Sequence, residues 1–251
     1  MNISLAAEPL FHIGSFAVTN TLIVSWVIII FLLIITFLLN KKLAKSPKGL
    51  QNFVEMIIEG AFNFMDSIVL DKKQTKKFFP LVMTIFLLVI LCNWVEVVPG
   101  LGSIGIYEEH QGAQILIPFI RSTSSDLNFT LAIAIISVMS VQIFGIAALG
   151  FFKYSKKYIN FKNPIDFFVG ILELVSEISK MISFSFRLFG NIFAGEVLLI
   201  VVSFLVPYIV PLPFLFLEIF VGFVQALVFS MLTLVFLKMA VISHEEQEHE
   251  H

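Results

Sequence analysis

Long apolar runs dominate this sequence, and their lengths limit the folds it can adopt. A helix needs about 20 predominantly apolar residues to cross the hydrocarbon of a bilayer, where it satisfies its own backbone hydrogen bonds. Three runs have the length of a single crossing, and two further runs are longer and contain polar groups. We therefore predict an all-α integral membrane protein with about five membrane helices. The predicted ranges are 20–39, 78–98, 127–152, 164–206 and 212–240.

The composition supports this fold class. Hydrophobic residues make up 58% of the 251 residues and charged residues only 14%, and the mean hydropathy of +0.97 lies outside the usual range of soluble proteins. Cys92 is the single cysteine, which excludes an intrachain disulfide and a cysteine metal site. The tail 243–251 alternates acids and histidines, a pattern more typical of a disordered polar tail than of a metal site. We expect no cofactor, no metal ion and no nucleic-acid partner.

Residues 48–70, between the first two predicted spans, carry apolar side chains at helical spacing and polar side chains at other positions. This pattern predicts an amphipathic helix. We interpret it as a helix that lies in the membrane interface, with a soluble helix packed against the membrane domain as an equal alternative. The apolar positions are Phe53, Met56, Ile57, Ala61, Phe64 and Ile68.

The lysines predict the orientation of the chain. Twelve of the fourteen lysines fall in 41–48, 72–77 and 153–162, and the positive-inside rule places these segments in the cytoplasm. The loop 99–125 has no lysine, and Arg121 is its only positive residue, so this loop should face outward. We therefore expect the N-terminus outside and the C-terminus in the cytoplasm. Without a recognisable transit peptide, we expect the inner (plasma) membrane of a bacterium.

Prolines divide the two longest apolar runs and predict a long helical hairpin. Pro207, Pro211 and Pro213 remove backbone donors and fix φ, as expected for a turn between two helices. If the turn centres on Pro207, Glu196 lies level with Glu218 on the returning arm.

Arg187 is the most unusual residue for this fold. It is one of two arginines in the chain and lies inside an apolar run, where a guanidinium is costly and cannot escape by losing its proton. The hairpin register places Gln225 within one helical turn of Arg187, and Asn191 shares the polar face of its own helix. We therefore predict that Arg187 faces a partner, a cavity or a water path.

Acidic residues flank Arg187 on both sides along the predicted helix. Glu196 and Glu218 lie at one depth on the outer side, where two close carboxyls can hold one proton between them. Glu173 and Glu177 lie on the inner side. Alternatively, each acid bonds a neighbouring hydroxyl or lysine and only stiffens the hairpin. We favour a functional role because charges are costly in a bilayer.

Weaker polar groups lie near the ends of the spans. Asn93 and Asp126 could line an outer cavity, although helix capping explains Asp126 equally well. Lys180, near the inner end of its span, is expected to extend towards the cytoplasm.

The sequence around Arg187 resembles subunit a of the F-type ATP synthase. The segment Arg187-Leu-Phe-Gly-Asn-Ile-Phe-Ala-Gly-Glu196 is similar to the signature of that family, and shorter matches lie at 124–132, 172–176 and 225–229. The resemblance covers most of the chain from about Phe78 onward.

The resemblance implies a stator protein whose long, tilted hairpin presses against a rotating ring of small subunits, each with one membrane-embedded carboxylate. Two offset aqueous half-channels for protons would meet the ring on either side of Arg187, and ions would pass between them only by riding the ring. Rotation would drive ATP synthesis elsewhere in the complex, so this chain would hold no catalytic nucleotide site. The implied partners are the ring, membrane subunits of the peripheral stalk and the lipid bilayer.

The resemblance also implies roles for individual residues. Arg187 would be the essential seal that faces the ring carboxylate, while Gln225 and Asn191 would position Arg187 or the water around it. Many relatives carry histidine at the position of Glu196 or Glu218, whereas this chain has glutamate at both. The outer half-channel would be lined by Glu196 and Glu218, with Asp126 and Asn93 as weaker additions. The inner candidates are Glu173, Glu177 and Ser176.

Two other functions are compatible with buried charges in a helical membrane protein. A secondary transporter would hold its substrate at a break in membrane helices, usually within repeated halves, and no repeat is visible in this sequence. A purely structural membrane subunit would use Arg187 only to pair with a buried acid.

Overall fold

The computed structural model describes residues 9–14, 16–41, 49–95, 97–98, 104–110, 113–158, 164–207 and 209–242. The helices of this part of the chain are α1 (Asn20–Lys41), α2 (Leu50–Val69), α3 (Lys72–Trp94), α4 (Leu127–Leu149), α5 (Phe151–Ser155), α6 (Pro164–Leu205) and α7 (Pro211–Val241). Its strands are β1 (Pro9–Ile13), β2 (Phe16–Thr19), β3 (Gly105–His110) and β4 (Ala113–Pro118).

Five helices of the described chain, α1, α3, α4, α6 and α7, are long and apolar enough to cross a membrane. This confirms the predicted all-α membrane fold. Helix α6 has 42 residues, which corresponds to about 63 Å at 1.5 Å per residue. The hydrocarbon core of a bilayer is only about 30 Å thick. Helix α6 must therefore tilt strongly, extend into water, or do both.

The observed helix ends depart from the predicted spans where local groups cap a helix. Helix α3 starts at Lys72 rather than at residue 78, because the Asp71 carboxylate accepts a hydrogen bond from the Lys73 amide at 2.8 Å. Helix α4 stops at Leu149 rather than at residue 152, because Gly150 turns the chain with a φ of 82°. The short helix α5 follows this turn.

Two small antiparallel hairpins, β1 with β2 and β3 with β4, were not predicted. The second hairpin lies in the loop that the lysine pattern places outside. Each strand has at most six residues. The prediction considered only apolar runs long enough to cross a bilayer, and such short strands fall below that length.

The core forms where α3, α4, α6 and α7 meet. Val89, Leu188 and Ala226 are fully buried in one cluster of this region. A second cluster joins α2 to the far ends of α3 and α7, with Phe78 and Leu237 at its centre. These contacts fix α7 between the other spans, so polar groups on α7 lie close to both α3 and α6.

Helix α2 is attached by its C-terminal end and exposed elsewhere. The Thr75 hydroxyl donates to Asp66 at 2.9 Å, and the Lys238 ammonium donates to the carbonyl of Ile68 at 3.0 Å. Phe53 and Met56, nearer its N-terminus, remain 55% and 60% exposed. The amphipathic helix predicted over 48–70 therefore presents free apolar side chains, as an interfacial helix would.

Candidate functional site

Arg187 lies near the middle of α6 on an exposed face of that helix. Its Nη2 donates to the Ser183 hydroxyl, 3.4 Å away and one turn earlier on the same helix. Within the described residues, no carboxylate forms a salt bridge with Arg187. Gly190, Asn191 and Ala194 continue this exposed face. The guanidinium is therefore available to a group on another molecule.

Helix α6 also buries less of itself than the other spans. Only 11% of its most apolar window is buried, whereas the corresponding values for the other described spans run from 22% to 39%. Long helices usually pack an apolar face against a neighbour. Much of the apolar surface of α6 is therefore not packed within the described chain.

Asn191 and Gln225 join α6 to α7 one turn beyond Arg187. The Asn191 amide donates to Oε1 of Gln225 at 2.7 Å, and Gln225 is only 4% exposed. This contact brings together two of the residues that the sequence placed beside Arg187. It also leaves the Gln225 amide nitrogen facing the interior.

Glu218 on α7 lies against Gly195 on α6. A Cβ at position 195 would overlap the Glu218 carboxylate, so glycine gives that side chain its space. This contact and the one between Asn191 and Gln225 give the register of α6 against α7. The observed register differs by at most two residues from the one expected for a turn at Pro207. Glu218 thus lies beside the residue that precedes Glu196.

Glu196 forms a buried ion pair with Arg121, which precedes α4. Arg121 Nε lies 3.1 Å from Glu196 Oε1, and Arg121 Nη2 donates to Oε2 at 3.2 Å. The two side chains are 8% and 17% exposed. The pair thus consists of one hydrogen bond from Nη2 and a close ion contact of Nε with the same carboxylate. The sequence reading missed this pair, although Arg121 was visible as the only cation of a lysine-free loop.

Buried polar atoms without a hydrogen-bond partner among the described residues surround this part of the hairpin. Both carboxylate oxygens of Glu218 belong to this group. Such atoms are usually satisfied by ordered water. The others near the outer side are Gln225 Nε2, Asn93 Oδ1 and Ser124 Oγ.

Asn93 and Trp94 fasten α3 to α7. The Asn93 amide donates to the carbonyl of Gly222 at 2.9 Å, and the Trp94 indole donates to the carbonyl of Ile219 at 3.1 Å. Asn93 is 2% exposed. Through Gly222, Asn93 therefore contacts the face of α7 that carries Glu218 and Gln225, at the helical turn between these two residues.

Asp126 has a structural position. One carboxylate oxygen accepts from the Thr21 hydroxyl at 2.9 Å, and the other accepts from the Asn128 amide at 2.9 Å. It therefore caps α4 and ties it to α1, as the capping alternative predicted.

The inner candidates on α6 are paired with lysines. Glu173 lies 2.7 Å from the ammonium of Lys157, and Glu177 lies 2.9 Å from that of Lys180. Lys180 also lies over the ring of Phe236, 4.7 Å from its centroid. Ser176 is half-buried between the two acids in the sequence.

Two tyrosines complete the inner group. The hydroxyls of Tyr154 and Tyr158 both donate to Oε1 of Gln142, at 2.7 and 2.8 Å. Burial raises the pKa of both phenols above the ordinary value of 10.0, and the nearby carboxylate of Glu177 raises it further. Both phenols therefore stay protonated at neutral pH.

No group of three or more His, Cys, Asp or Glu side chains within the described ranges is arranged to hold a metal ion. The tail 243–251, with its histidines and acids, lies outside these ranges.

The fold and the site define a polytopic α-helical membrane protein with an arginine and several carboxylates along a helical hairpin. Residues 22–238 match the family described as ATP synthase A chain. The chain is 30% identical over 235 residues to ATP synthase subunit a of Moorella thermoacetica, with 94% of this chain and 96% of that one covered. It is 35% identical to subunit a of Gloeobacter violaceus, with coverage of 90% and 85%. It is 33% identical to that of Geobacter sulfurreducens, with coverage of 92% and 90%. The chain therefore belongs to the ATP synthase A chain family.

Proposed function

We propose that this chain is the stator subunit of the membrane sector of an F-type ATP synthase, in which two proton half-channels are separated at Arg187. Protons pass from one half-channel to carboxylates of a rotating ring and leave through the other, and the rotation drives ATP synthesis. The family supports the complex, and the site supports the roles of the residues.

The exposed position of Arg187 is the observation that carries this proposal. A guanidinium at membrane depth needs an anionic partner, and the described residues supply only the Ser183 hydroxyl. A carboxylate on a neighbouring ring subunit would supply the missing charge. The unpacked face of α6 has room for that subunit.

A permanent cation at this position explains how the two paths stay separate. Arg187 repels a hopping proton and favours the ionised form of a passing carboxylate, so the carboxylate gives up its proton to the exit path. A proton that crosses the full membrane potential releases about 2.3 kcal/mol per 100 mV. A leak at Arg187 would dissipate that energy without turning the ring.

The outer half-channel follows the side of α7 that carries Glu218, with Asn93 and Gln225 along it. Their unpartnered polar atoms favour a file of water that leads to Arg187. Asn191 holds Gln225 in place, Glu196 lies beside the path, and Asp126 belongs to its wall. The inner half-channel passes the paired acids Glu173 and Glu177, with Ser176 between them.

The partners follow from the same assignment. The ring occupies the exposed face of α6, and the membrane subunits of the peripheral stalk and the lipid cover other surfaces. The chain lies in the inner membrane of a bacterium. The lysine pattern favours an N-terminus outside and a C-terminus in the cytoplasm.

ATP-driven proton pumping by the reconstituted complex tests the proposal. Arg187→Ala should abolish pumping, because the ring carboxylate loses its counter-ion and the two paths lose their divider. Ser183→Ala is the matched control, since it removes only the weak contact at 3.4 Å and should lower pumping by less than about threefold. Normal pumping by Arg187→Ala would support a purely structural subunit. Proton flux without any ring would support a transporter.

A further inference from the structure

Helix α2 has an apolar face that no described part of the chain covers. Its C-terminal end packs into the core through Met65 and Val69, which are 1% and 3% exposed. Glu55 and Glu59 lie on another side of the helix, about opposite Phe53 at 100° per residue. The free face of α2 carries side chains that are each between 46% and 60% exposed, namely Phe53, Met56, Ile57 and Phe64.

Four lysines follow α2 at the start of α3, and we refer to them as the lysine cluster: Lys72, Lys73, Lys76 and Lys77. All four are exposed, and at 100° per residue they lie within an arc of about 140°, opposite the buried Phe78. The Cα atoms of Val69 and Lys72, where α2 ends and α3 begins, are at most about 11 Å apart along the chain. The lysine cluster therefore adjoins the end of α2.

Contacts within the chain do not account for the lysine cluster. None of its members forms a salt bridge with an acid of the described residues. Asp71, the only acid in 71–77, accepts from the Lys73 amide and caps α3. Cations in the first turns of a helix also oppose its dipole. The four ammonium groups therefore do not stabilise the fold, and an anion from outside the chain would be favourable beside them.

We propose that the free face of α2 and the lysine cluster together form a binding surface for anionic phospholipids. Such a lipid matches both parts, because its acyl chains can contact the apolar side chains and its phosphate can contact the ammonium groups. Each lysine close to an anionic membrane surface strengthens attraction about fivefold, and this attraction falls off within a Debye length. The surface is separate from Arg187 and from the half-channels, so the inference goes beyond the proposed function.

The attachment of α2 gives this surface a structural role. The Thr75 hydroxyl donates to Asp66, and the Lys238 ammonium donates to the carbonyl of Ile68. These bonds tie the end of α2 to α3 and α7. Lipid bound along α2 would therefore hold the adjoining ends of both spans at the level of the phosphate groups.

Quenching of a fluorescent label by brominated lipids tests this surface in the assembled complex. Leu70→Cys is labelled with bimane in a Cys92→Ser background, because Leu70 is 78% exposed and lies between α2 and the lysine cluster. The complex is reconstituted in phosphatidylcholine vesicles that contain either brominated phosphatidylglycerol or brominated phosphatidylcholine at matched mole fractions. Half-maximal quenching should need about fivefold less of the anionic lipid than of the zwitterionic one.

Variants separate the contribution of charge from that of apolar contact. Replacing all four members of the lysine cluster with glutamine should make the two lipids quench equally. Replacing them with arginine is the matched control, since it keeps the charges and should preserve the difference. Phe53→Ser with Met56→Ser should weaken quenching by both lipids to a similar extent, because these changes affect only the apolar part.

Salt provides a test that needs no change to the lysine cluster. At about 1 M salt the Debye length is about 3 Å, so the preference for the anionic lipid should fall below about twofold. A preference that persists in high salt or in the glutamine variant would contradict the role of the lysines.

Two other outcomes would overturn the inference. Equal quenching by both lipids with the lysine cluster intact would show that lipid lies against α2 without selection for charge. Quenching by neither lipid would show that another protein of the complex covers this surface. Neither outcome bears on the proposed function, which Arg187→Ala tests through proton pumping.

Discussion

The acids on the outer and inner sides of Arg187 meet different cations. On the outer side, the Arg121 guanidinium pairs with Glu196, and neither carboxylate oxygen of Glu218 has a hydrogen-bond partner among the described residues. On the inner side, Lys157 pairs with Glu173 and Lys180 pairs with Glu177. Glu196, Glu173 and Glu177 therefore each have a cation beside them, whereas Glu218 has no ion pair within the described residues.

This difference indicates that the two sides handle protons differently. Under the proposed function, Glu218 would be the outer acid that takes up a proton, because its protonation breaks no ion pair within the described residues. Protonation of Glu173 or Glu177 would break an ion pair, so under the proposed function protons on the inner side would move through water and hydroxyl groups beside these acids. The identity of the cation also matters, since a guanidinium keeps its proton whereas a buried ammonium can release its own.

The largest effect is expected from Glu218→Gln, which removes the protonatable carboxyl of Glu218 from the outer side. Proton transfer through a positioned acid contributes at least about a hundredfold to rate, so passive conductance of the membrane sector should fall by about that factor. Glu55→Gln serves as its control, because Glu55 is an exposed acid on α2. Conductance near that of the unaltered chain would show that the outer side needs no carboxyl at this position.

A smaller effect is expected from Lys180→Met, which should leave the inner side with an acid that has no ion pair, like Glu218 on the outer side. The change leaves Glu177 buried and uncompensated. Conductance should fall by about three- to tenfold and should acquire a dependence on inner pH. Adding Glu177→Gln should restore it.

Lys157→Met is the matched control for Lys180→Met, because the pair of Lys157 with Glu173 is more exposed, at 23% and 30%. Exposed pairs contribute at most about 1 kcal/mol. An equal loss from both variants would contradict the distinction between the buried and the exposed pair.

The smallest effect is expected from Tyr158→Phe, which deletes one hydrogen bond to Gln142. The thermal stability of the purified complex should fall by about 1 kcal/mol. Because the pKa of Tyr158 is raised by burial, its contribution is fully present below the ordinary value of 10.0 and is lost only as the pH rises above it. Unfolding temperatures between about pH 6 and 9 should therefore differ by a constant amount, and a difference that varies with pH there would refute this assignment.

The sequence predicted the helices well and the contacts of the site only in part. The apolar runs predicted five spans because a bilayer imposes a minimum length on each. The turn at Pro207 placed Glu218 beside Glu196 to within two residues, because both arms rise at a fixed 1.5 Å per residue. The strands of the two β-hairpins were not predicted, because they are too short for hydropathy to identify them.

The ion-pair partners of the charged residues could not be predicted from span length or helical rise. Arg121 and Glu196 are 75 residues apart, and their pairing depends on how the segment before α4 lies under α6. Lys157 reaches Glu173 from the turn after α5. Asp126 was predicted both as a channel residue and as a cap; it caps α4 by accepting from the Asn128 amide, and it also accepts from Thr21, 105 residues away.

The sequence by itself determined that this chain spans a membrane and that Arg187 is its exceptional cation, because the cost of polar groups in lipid acts on every residue regardless of its neighbours. The tertiary structure decided which carboxylates are neutralised. Helix packing brings Arg121 to Glu196 and leaves Glu218 free, and leaves Arg187 exposed on α6. Ion pairs act over a few ångströms, so only the folded arrangement of distant segments determines them.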